Sequence, residues 1–386
     1  MKKVITGNSA VAYGAKLARA QVIPAYPITP QTTIVEYLAE MCATGELKAK
    51  FINVESEYSA MAACIGAAVA GVRTFTATSS HGLALMHELL HWASTARLPI
   101  VMANVNRALA VPWTLLDEHT DSLSQRDTGW LQIYCEDNQE VLDSIVQAYY
   151  IAEQVKIPCM VNLEGFYLSY ISEPVDIPEQ EQIDAFLPAH HPTYELDPDR
   201  PAAFFGVTFD PVTLYRFRRD THQALEKALQ VAQEADQNFH RIFGRRYGLL
   251  EKYRLEDAEL ALVAAGTSVG TARIAVDRLR DRGARVGLLK IRLFRPPPVN
   301  DIRDALRGVP KVAVLDRSIS LGAEGILSQE LKSVLYTADG HCPAVFGLLA
   351  GLGGIDVTPE LICEIAERAL HSEYPTQGPI WIEVNR

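Results

Sequence analysis

The chain has 386 residues, of which 48% are hydrophobic and 22% charged, a balance typical of globular proteins. Its net charge of −11 argues against a nucleic-acid surface, because phosphate binding requires a basic face. The sequence contains neither the apolar core of a signal peptide nor a membrane-length apolar run of roughly 20 residues. We therefore expect a cytoplasmic protein that contacts neither nucleic acid nor membrane.

Residues 1–170 alternate short apolar runs with helical patterns, which indicates a parallel, doubly wound α/β sheet. Helices are predicted at 56–71 and 139–154. Strands are predicted at 21–26, 50–54, 74–78, 100–104 and 158–162. In such sheets, ligands bind beyond the carboxyl ends of the strands.

Residues 171–256 are predicted to form a connecting segment. Its first part, up to about residue 205, reads as an extended linker because prolines recur among acidic residues. These prolines are Pro174, Pro178, Pro188, Pro192, Pro198 and Pro201. A long helix is predicted from Arg219 to Phe243. Residues 257–386 form a second α/β unit, with strands predicted at 259–265, 286–291, 311–315, 344–348 and 380–384.

Three polar features follow strands of the first unit. The prolines around Thr29 would hold its hydroxyl in one geometry, suited to a carboxylate or phosphate oxygen, although a plain helix-capping turn is equally consistent. Glu57 could hydrogen-bond a ring nitrogen in the crevice, or simply sit in a first helical turn. Arg107 could clamp a substrate carboxylate, or be an exposed structural residue.

Metal chemistry receives little support from the sequence. None of the six cysteines falls in a C-x-x-C pair, which argues against an iron–sulfur or zinc site on this chain. His87, Glu88 and His91 match the zincin pattern H-E-x-x-H, but no third ligand follows. The polar loop 117–121 shows no spacing that demands an ion, so we expect no metal ligand.

Several motifs in order resemble one family, the alpha subunits of pyruvate:ferredoxin oxidoreductase and its 2-oxoacid relatives. They are Tyr26–Pro30, the region of Glu57, Asn106–Leu109, Arg126–Trp130, Leu163–Phe166, Ile242–Arg245, Phe294–Pro296, Leu315–Arg317 and Gly351–Val357. The resemblance implies a pyrimidine-type thiamine-binding domain at 1–170 and a transketolase C-terminal-like domain at 257–386. It departs at Ile355, where relatives commonly carry arginine, and at Glu164, where they carry aspartate.

The resemblance also implies roles by position. Thr29 and Arg107 match residues that bind the substrate's carboxylate and carbonyl, and Glu57 matches the glutamate that bonds the aminopyrimidine of thiamine diphosphate. Pro27 and Ile28 belong to the same cofactor-binding segment. Catalytic roles therefore fall to Glu57, Thr29 and Arg107.

The implied reaction is oxidative decarboxylation of pyruvate to acetyl-CoA with reduction of ferredoxin, or its reverse. The chain lacks the Gly-Asp-Gly…Asn-Asn anchor for the diphosphate and Mg²⁺. We therefore expect a beta subunit to hold the diphosphate, Mg²⁺ and an iron–sulfur cluster. Gamma and ferredoxin-like delta subunits are further expected partners, in a dimer of the heteromeric unit. Other 2-oxoacids (2-oxoglutarate, branched-chain oxoacids, oxalate) and a non-catalytic assembly role remain alternatives.

Overall fold

A computed structural model describes residues 1–192, 195–197, 199, 206–336, 342–375 and 378–382. The strands are β1 (Lys2–Thr6), β2 (Val22–Ala25), β3 (Lys50–Asn53), β4 (Phe75–Thr78), β5 (Val101–Asn106), β6 (Leu131–Tyr134), β7 (Cys159–Glu164), β8 (Ser172–Asp176), β9 (Leu250–Tyr253), β10 (Leu260–Ala264), β11 (Val286–Ile291), β12 (Leu293–Arg295), β13 (Lys311–Asp316), β14 (Ala344–Leu349) and β15 (Ile380–Trp381). The helices are α1 (Gly7–Leu17), α2 (Thr32–Ala43), α3 (Glu57–Val69), α4 (Ser80–Leu85), α5 (His87–Thr95), α6 (Thr120–Leu123), α7 (Asn138–Val155), α8 (Gln180–Phe186), α9 (Pro211–Phe243), α10 (Ser268–Asp281), α11 (Val299–Ala305), α12 (Ile326–Leu335) and α13 (Pro359–His371).

The first sheet has the strand order β12-β6-β7-β5-β4, and a bridge between Val22 and Thr74 continues it to β2 and β3. All of its strands except β12 run parallel. Along β5, Val101 and Ala103 pack on the side of α1 and α7, whereas Met102 packs on the side of α3 and α5. Helices therefore cover both faces, which explains why the strands read as uninterrupted apolar runs.

The second sheet has the order β15-β14-β13-β10-β11-β9, with only β9 antiparallel to its neighbour. Along β10, Ala261 and Val263 belong to the core that contains α11 and α12. Leu260 and Leu262 belong to the opposite core, which contains α10 and α13. This unit is therefore also a three-layer α/β structure, and the predicted fold class is confirmed.

The two units share structure. Strand β12 comes from the second half of the chain but pairs antiparallel with β6, with Leu293 opposite Ile133. Just before it, Lys290 Nζ donates to Glu140 Oε2 on α7 at 2.7 Å, and Arg292 Nε donates to Glu140 Oε1 at 2.8 Å. A buried charge network and a shared sheet edge thus join the two units.

The connecting segment has more regular structure than an extended linker. Strand β8 pairs antiparallel with β1, and helix α8 follows with a capping box. Helix α9 begins at Pro211, earlier than the predicted Arg219, because Asp210 caps it by accepting from the backbone N–H groups of Val212 and Thr213, each at 3.1 Å. Pro198 and Pro201, and residues 383–384 of the last predicted strand, lie outside the described residues.

Most of the other predicted strands are confirmed to within two residues at either end. Strands β1, β6, β8, β9 and β12 were not predicted. Among the described helices, none combines the length and apolar character needed to cross a membrane.

Candidate active site

The candidate site lies where the strands of the first sheet end. The turn at residues 26–30 follows β2, helix α4 follows β4, and Arg107 follows β5. Helix α3, which begins at Glu57, follows β3. Because these strands are parallel, all four features lie at the same edge of the sheet.

The turn at residues 26–30 is held from both sides. Asn8 Nδ2 donates to Pro30 O at 2.8 Å, and Gln31 Nε2 donates to Tyr26 O at 3.2 Å and to Ala77 O at 2.6 Å. Helix α2 begins two residues after Pro30, and no side chain caps it. Thr29 is half-buried, and its hydroxyl has no hydrogen-bond partner among the described residues. Thr29 is therefore not a helix cap, and its hydroxyl is available to a ligand.

Two further residues of this turn, Pro27 and Ile28, were predicted to contact the cofactor. Pro27 is exposed and Ile28 is half-buried. The Ile28 carbonyl accepts from Gln31 N at 2.8 Å, which tightens the turn. Both side chains are thus accessible at the edge of the sheet.

Arg107 is only 2% exposed, so it is not a surface residue. Its Nη1 donates to Thr29 O at 2.9 Å, and its Nε donates to Thr114 O at 2.8 Å. The guanidinium stacks on Trp113, with 4.7 Å from Cζ to the ring centroid. Burial lowers the pKa of Arg107 from its usual value, although nearby Asp121 opposes this. Nη2 is buried and has no hydrogen-bond partner in the described part of the chain.

Glu57 lies across the same edge and is 7% exposed. Its carboxylate packs against Gly82 in α4, where a Cβ atom would lie 2.6 Å from Glu57 Oε1 and 2.6 Å from Thr78 Oγ1. No hydrogen-bond donor of the described residues reaches the Glu57 carboxylate. The buried hydroxyls of Thr78 and Ser79 also lack partners there. Buried polar groups normally find partners, so this pocket is suited to a polar ligand.

Asp121 connects the two sides of the site, and sequence reasoning missed it. This buried carboxylate accepts from the backbone N–H groups of Ser80 at 3.0 Å, Arg107 at 3.1 Å and Ser122 at 2.7 Å. It also accepts from Asn106 Nδ2 at 2.8 Å and Asn104 Nδ2 at 3.2 Å. Burial raises the pKa of Asp121, and these hydrogen bonds oppose the rise. Nothing in the sequence separates it from the other acidic residues of its loop.

Gly165 is the central residue of the Glu-Gly-Phe segment that follows β7. A Cβ atom at this position would lie 2.5 Å from Asn106 O and 2.9 Å from Pro30 Cγ. The backbone at residue 165 therefore closes the back of the Thr29–Arg107 side, and only glycine fits there.

A second buried polar cluster lies between the two units. Arg317 Nη2 lies 2.8 Å from Asp117 Oδ2, at ion-pair distance but not aligned for a hydrogen bond. His119 Nε2 lies 2.7 Å from Glu164 Oε1, and Glu164 Oε2 accepts from Thr267 N at 3.1 Å. This cluster joins loop 117–121 and the end of β7 to β13 and the start of α10.

The pKa values of this cluster are perturbed in different directions. Burial raises the pKa of Asp117 to about 7, although Arg317 opposes the rise. Burial would also raise the pKa of Glu164, but Arg317 and His119 hold it below its usual value. For His119, burial lowers the pKa, but the hydrogen bond and charge of Glu164 outweigh burial and raise it.

Two arrangements bear on metal binding. Asp117, His119 and Glu164 each offer a ligand atom, and these atoms lie within 4.8 Å of one another, a convergence that the sequence did not indicate. The Arg317 guanidinium lies in the same cluster and supplies the positive charge that an ion would bring. His87 and His91 of the zincin-like pattern have ring centroids 5.0 Å apart. No third ligand joins them among the described residues, and His87 Nδ1 contacts Gln125 Oε1 at 2.5 Å.

The two-unit α/β fold resembles that of two solved structures, a 2-oxoacid oxidoreductase and a transketolase. It superposes on 2-oxoglutarate:ferredoxin oxidoreductase from Magnetococcus marinus, a structure with 2-oxoglutarate, coenzyme A and succinyl-CoA bound, with a TM-score of 0.74 at 22% identity. That match covers 96% of this chain and 65% of the longer one. A split-gene transketolase gives a TM-score of 0.56 at 13% identity, covering 95% of this chain and 99% of that one.

Sequence comparison identifies the family. Residues 13–237 match the model for pyruvate flavodoxin/ferredoxin oxidoreductase, thiamine diphosphate-binding, and residues 258–362 match pyruvate:ferredoxin oxidoreductase core domain II. The chain therefore belongs to the pyruvate:ferredoxin oxidoreductase family. It is 50% identical to pyruvate synthase subunit PorA of Methanothermobacter thermautotrophicus, over 98% of this chain and 97% of that protein. It is 49% identical to ketoisovalerate oxidoreductase subunit VorA of Pyrococcus horikoshii, over 95% and 93% respectively.

Proposed function

We propose that this chain is the alpha subunit of a thiamine diphosphate-dependent 2-oxoacid:ferredoxin oxidoreductase that converts pyruvate to acetyl-CoA, or runs the reverse reaction. Residues 1–170 would be the thiamine-binding domain, 171–256 the connecting segment and 257–386 the transketolase C-terminal-like domain. The observation that carries the proposal is the buried Glu57 carboxylate, which has no donor among the described residues and faces the same sheet edge as Thr29 and Arg107.

The residues around Glu57 fit the aminopyrimidine ring of thiamine diphosphate. Glu57 would accept a hydrogen bond from a ring nitrogen, and the unpartnered Thr78 and Ser79 hydroxyls would serve the ring's other polar groups. When bound, thiamine diphosphate supplies a carbon nucleophile that attacks 2-oxo groups and stabilises the charge left by decarboxylation. The Glu57 carboxylate would contribute a proton acceptor whose position is fixed by its buried surroundings.

The substrate side is formed by Thr29 and Arg107. Arg107 Nη2, the one nitrogen of that guanidinium without a partner, would donate to the carboxylate of the 2-oxoacid. The Thr29 hydroxyl would donate to a carboxylate or carbonyl oxygen beside it. The hydrogen bond from Arg107 Nη1 to Thr29 O holds the Arg107 guanidinium and the Thr29 residue at a fixed distance. Both donors would therefore be in position before the substrate binds.

The remaining parts of the reaction would come from partners. A beta subunit would supply the diphosphate and Mg²⁺ site and an iron–sulfur cluster, and gamma and ferredoxin-like delta subunits would extend the electron path to ferredoxin. Coenzyme A would accept the acyl group. We place this assembly in the cytoplasm, as a dimer of the heteromeric unit. Support comes from the similar proteins named as subunits, PorA and VorA.

Glu57→Gln in the complete complex tests the catalytic role. We expect the rate of acceptor reduction with pyruvate to fall by about 100-fold or more, since proton transfer by a positioned carboxylate contributes about 10²–10⁴-fold. Glu55→Gln is the matched control, because Glu55 precedes the same helix but is exposed, and it should stay within about twofold of wild type. If Glu57→Gln retained a third of the rate or more, the chain would instead be an assembly subunit without catalytic residues.

The VorA relative supports a branched-chain 2-oxoacid as a second candidate substrate. Its sequence identity to this chain, 49%, is nearly the same as the 50% of the PorA relative. The complex should therefore be assayed with pyruvate, 2-oxoisovalerate, 2-oxoglutarate and oxalate in parallel. A kcat/KM at least tenfold higher for any other acid than for pyruvate would replace pyruvate as the assigned substrate.

A further inference from the structure

The loop that follows β5 carries part of the support of Arg107. We call residues 108–116 the Arg107 loop. Ala108 N donates to Leu116 O at 3.0 Å, so the two ends of the loop are joined. Inside the loop, Thr114 O accepts from Arg107 Nε at 2.8 Å. The position of the Arg107 loop therefore helps to decide where the guanidinium lies.

The middle of the Arg107 loop is exposed and has little support. Trp113, on whose ring the Arg107 guanidinium stacks, is itself 66% exposed. Ala110 has a φ of 64°, a conformation that is uncommon for a residue with a side chain. Within the part of the chain that the structure describes, residues 109–113 make one hydrogen bond, from Ala110 N to His81 Nε2 at 2.9 Å. Half-buried His81 thus fixes the middle of the loop.

The directions of the hydrogen bonds around His81 determine the form of its imidazole ring. Because a backbone N–H group can only donate, Nε2 is the unprotonated nitrogen and the proton lies on Nδ1. Nδ1 lies 3.1 Å from Ser80 Oγ, and Ser80 Oγ donates to Ala108 O at 2.6 Å. Ser80 can therefore accept from His81 while it donates to the loop. Two consecutive residues at the start of α4 hold one carbonyl and one N–H group of the Arg107 loop.

We propose that His81 is a positioning residue for substrate binding, which acts on the 2-oxoacid through the Arg107 loop and Arg107. This inference rests on the proposed function, in which Arg107 donates to the substrate carboxylate. Without the Nε2 acceptor, the exposed Ala110 N–H turns to water, and the loop no longer has a single position. Thr114 O then holds the guanidinium less firmly, so the substrate meets a less organised donor. The Glu57 carboxylate keeps its own surroundings.

Two substitutions in the complete complex test this role. His81→Leu keeps a side chain of moderate size but removes the acceptor. KM for the 2-oxoacid should rise about fivefold, the size expected for the loss of one ordinary hydrogen bond, while kcat stays within about twofold of wild type. His81→Gln retains a side-chain oxygen that can accept from Ala110 N–H, so its KM should return to within about twofold of wild type.

His371→Leu is the matched control. His371 Nδ1 also contacts a backbone group, Glu367 O at 2.7 Å, but on α13 of the second unit. Its replacement removes one exposed histidine hydrogen bond and should change neither KM nor kcat.

A second measurement does not depend on turnover. In hydrogen–deuterium exchange with mass spectrometry, peptides that cover the Arg107 loop should exchange about threefold faster in His81→Leu than in wild type or His81→Gln. If the wild-type complex turned over no 2-oxoacid, the proposed function would fail. The exchange rates would still show whether His81 holds the loop.

Three outcomes would overturn the proposal. An unchanged KM or unchanged exchange in His81→Leu would show that the loop keeps its position without this hydrogen bond. A fall in kcat of about tenfold with KM unchanged would show that His81 acts on the reacting groups themselves. Equal losses in His81→Leu and His81→Gln, with a lower thermal midpoint in both, would show that His81 only supports the folding of α4.

Discussion

Asp121 is the side chain through which the substrate and cofactor sides of the candidate site are connected. Its carboxylate accepts hydrogen bonds from the backbone N–H groups of Arg107 and Ser80. Ser80 lies two residues before Gly82, against which the Glu57 carboxylate packs. Ser80 has a φ of 49°, an uncommon conformation for a residue with a side chain. Asp121 therefore stabilises a backbone geometry that the local sequence does not favour.

We predict that Asp121→Asn disturbs substrate binding more than the chemical step. The new amide would place an N–H group opposite existing donors, at a cost of about 2–4 kcal/mol of unfolding free energy. Because Arg107 loses its backbone anchor, KM for the 2-oxoacid should rise at least tenfold. Steady-state kinetics with denaturant unfolding measure both effects. Asp127, which follows α6, is exposed, so Asp127→Asn should change neither KM nor the unfolding free energy. Equal changes in the two variants would show that Asp121 has no special role.

Gly82 gives a way to displace the Glu57 carboxylate without removing it. Gly82→Ala would place a methyl group 2.6 Å from Glu57 Oε1, so the flexible carboxylate must move. Alanine is about 1 kcal/mol better than glycine inside a helix, so the fold should survive while activity falls at least tenfold. Gly66→Ala in α3 is the control, since a Cβ there meets nothing within 4 Å. It should raise the thermal midpoint slightly and keep full activity.

At the scale of elements, the sequence predicted the strands that are buried on both faces, because these appear as unbroken apolar runs. It missed β12, since three residues that pair with a strand about 160 positions earlier leave no local pattern. It missed β8 because Pro174 suggested a linker, yet a proline is tolerated in this two-stranded pair.

The candidate site was predictable to a similar degree. Thr29, Glu57 and Arg107 follow strands, so their shared edge could be inferred from the order of elements. Other parts of the site depend on long-range packing. These are the hydrogen bond from Arg107 to Thr29 O, the hydrogen bonds that Asp121 accepts, and the approach of Arg317 to Asp117. No spacing in the sequence encodes these contacts.

The cluster between loop 117–121 and β13 should make stability depend on pH. Burial raises the pKa of Asp117 to about 7, whereas an unfolded aspartate titrates near 4. The folded state therefore holds a proton that the unfolded state has released, and the Asp117 contribution to stability falls as pH rises from about 4 to about 7. His119, Glu164 and Arg317 face the same carboxyl group. A comparison of wild type with an Asp117 variant isolates the Asp117 contribution, because both proteins contain these three residues.

We predict that Asp117→Asn removes this dependence. The unfolding free energy of the variant, relative to wild type, should increase between pH 5 and pH 7, as measured by urea unfolding at several pH values. Asp301→Asn, on the exposed side of α11, should give a difference that does not change with pH. A pH-independent difference for Asp117→Asn as well would mean that Asp117 is already ionised at pH 5.

At the scale of the whole molecule, buried charges make the two units one cooperative structure. Lys290 and Arg292 both donate to Glu140, and all three are buried. Burial would raise the pKa of Glu140, but these two cations hold it below its usual value. The carboxylate is therefore ionised at neutral pH and, together with Glu136, balances two cations that are each only 3% exposed.

We predict that Glu140→Ala lowers the unfolding free energy by about 3–5 kcal/mol, because it leaves the buried Arg292 without its carboxylate partner and Lys290 with Glu136 alone. Calorimetry should show the single transition of the wild type shifted down or divided in two. Glu367→Ala, which breaks an exposed ion pair with Arg282, should cost less than about 1 kcal/mol. A comparable loss in both variants would indicate that the Glu140 network does not join the units.

Strand β12 has a consequence for how the polypeptide could be divided. If translation stopped at residue 256, the fragment would lack β12, and the hydrogen-bonding edge of β6 would be left open. An open edge of this kind recruits other chains, so the truncated product should aggregate when made alone. Co-expression with residues 257–386 should restore a dispersed product. A gene fission at this point would therefore succeed only if both fragments were synthesised together.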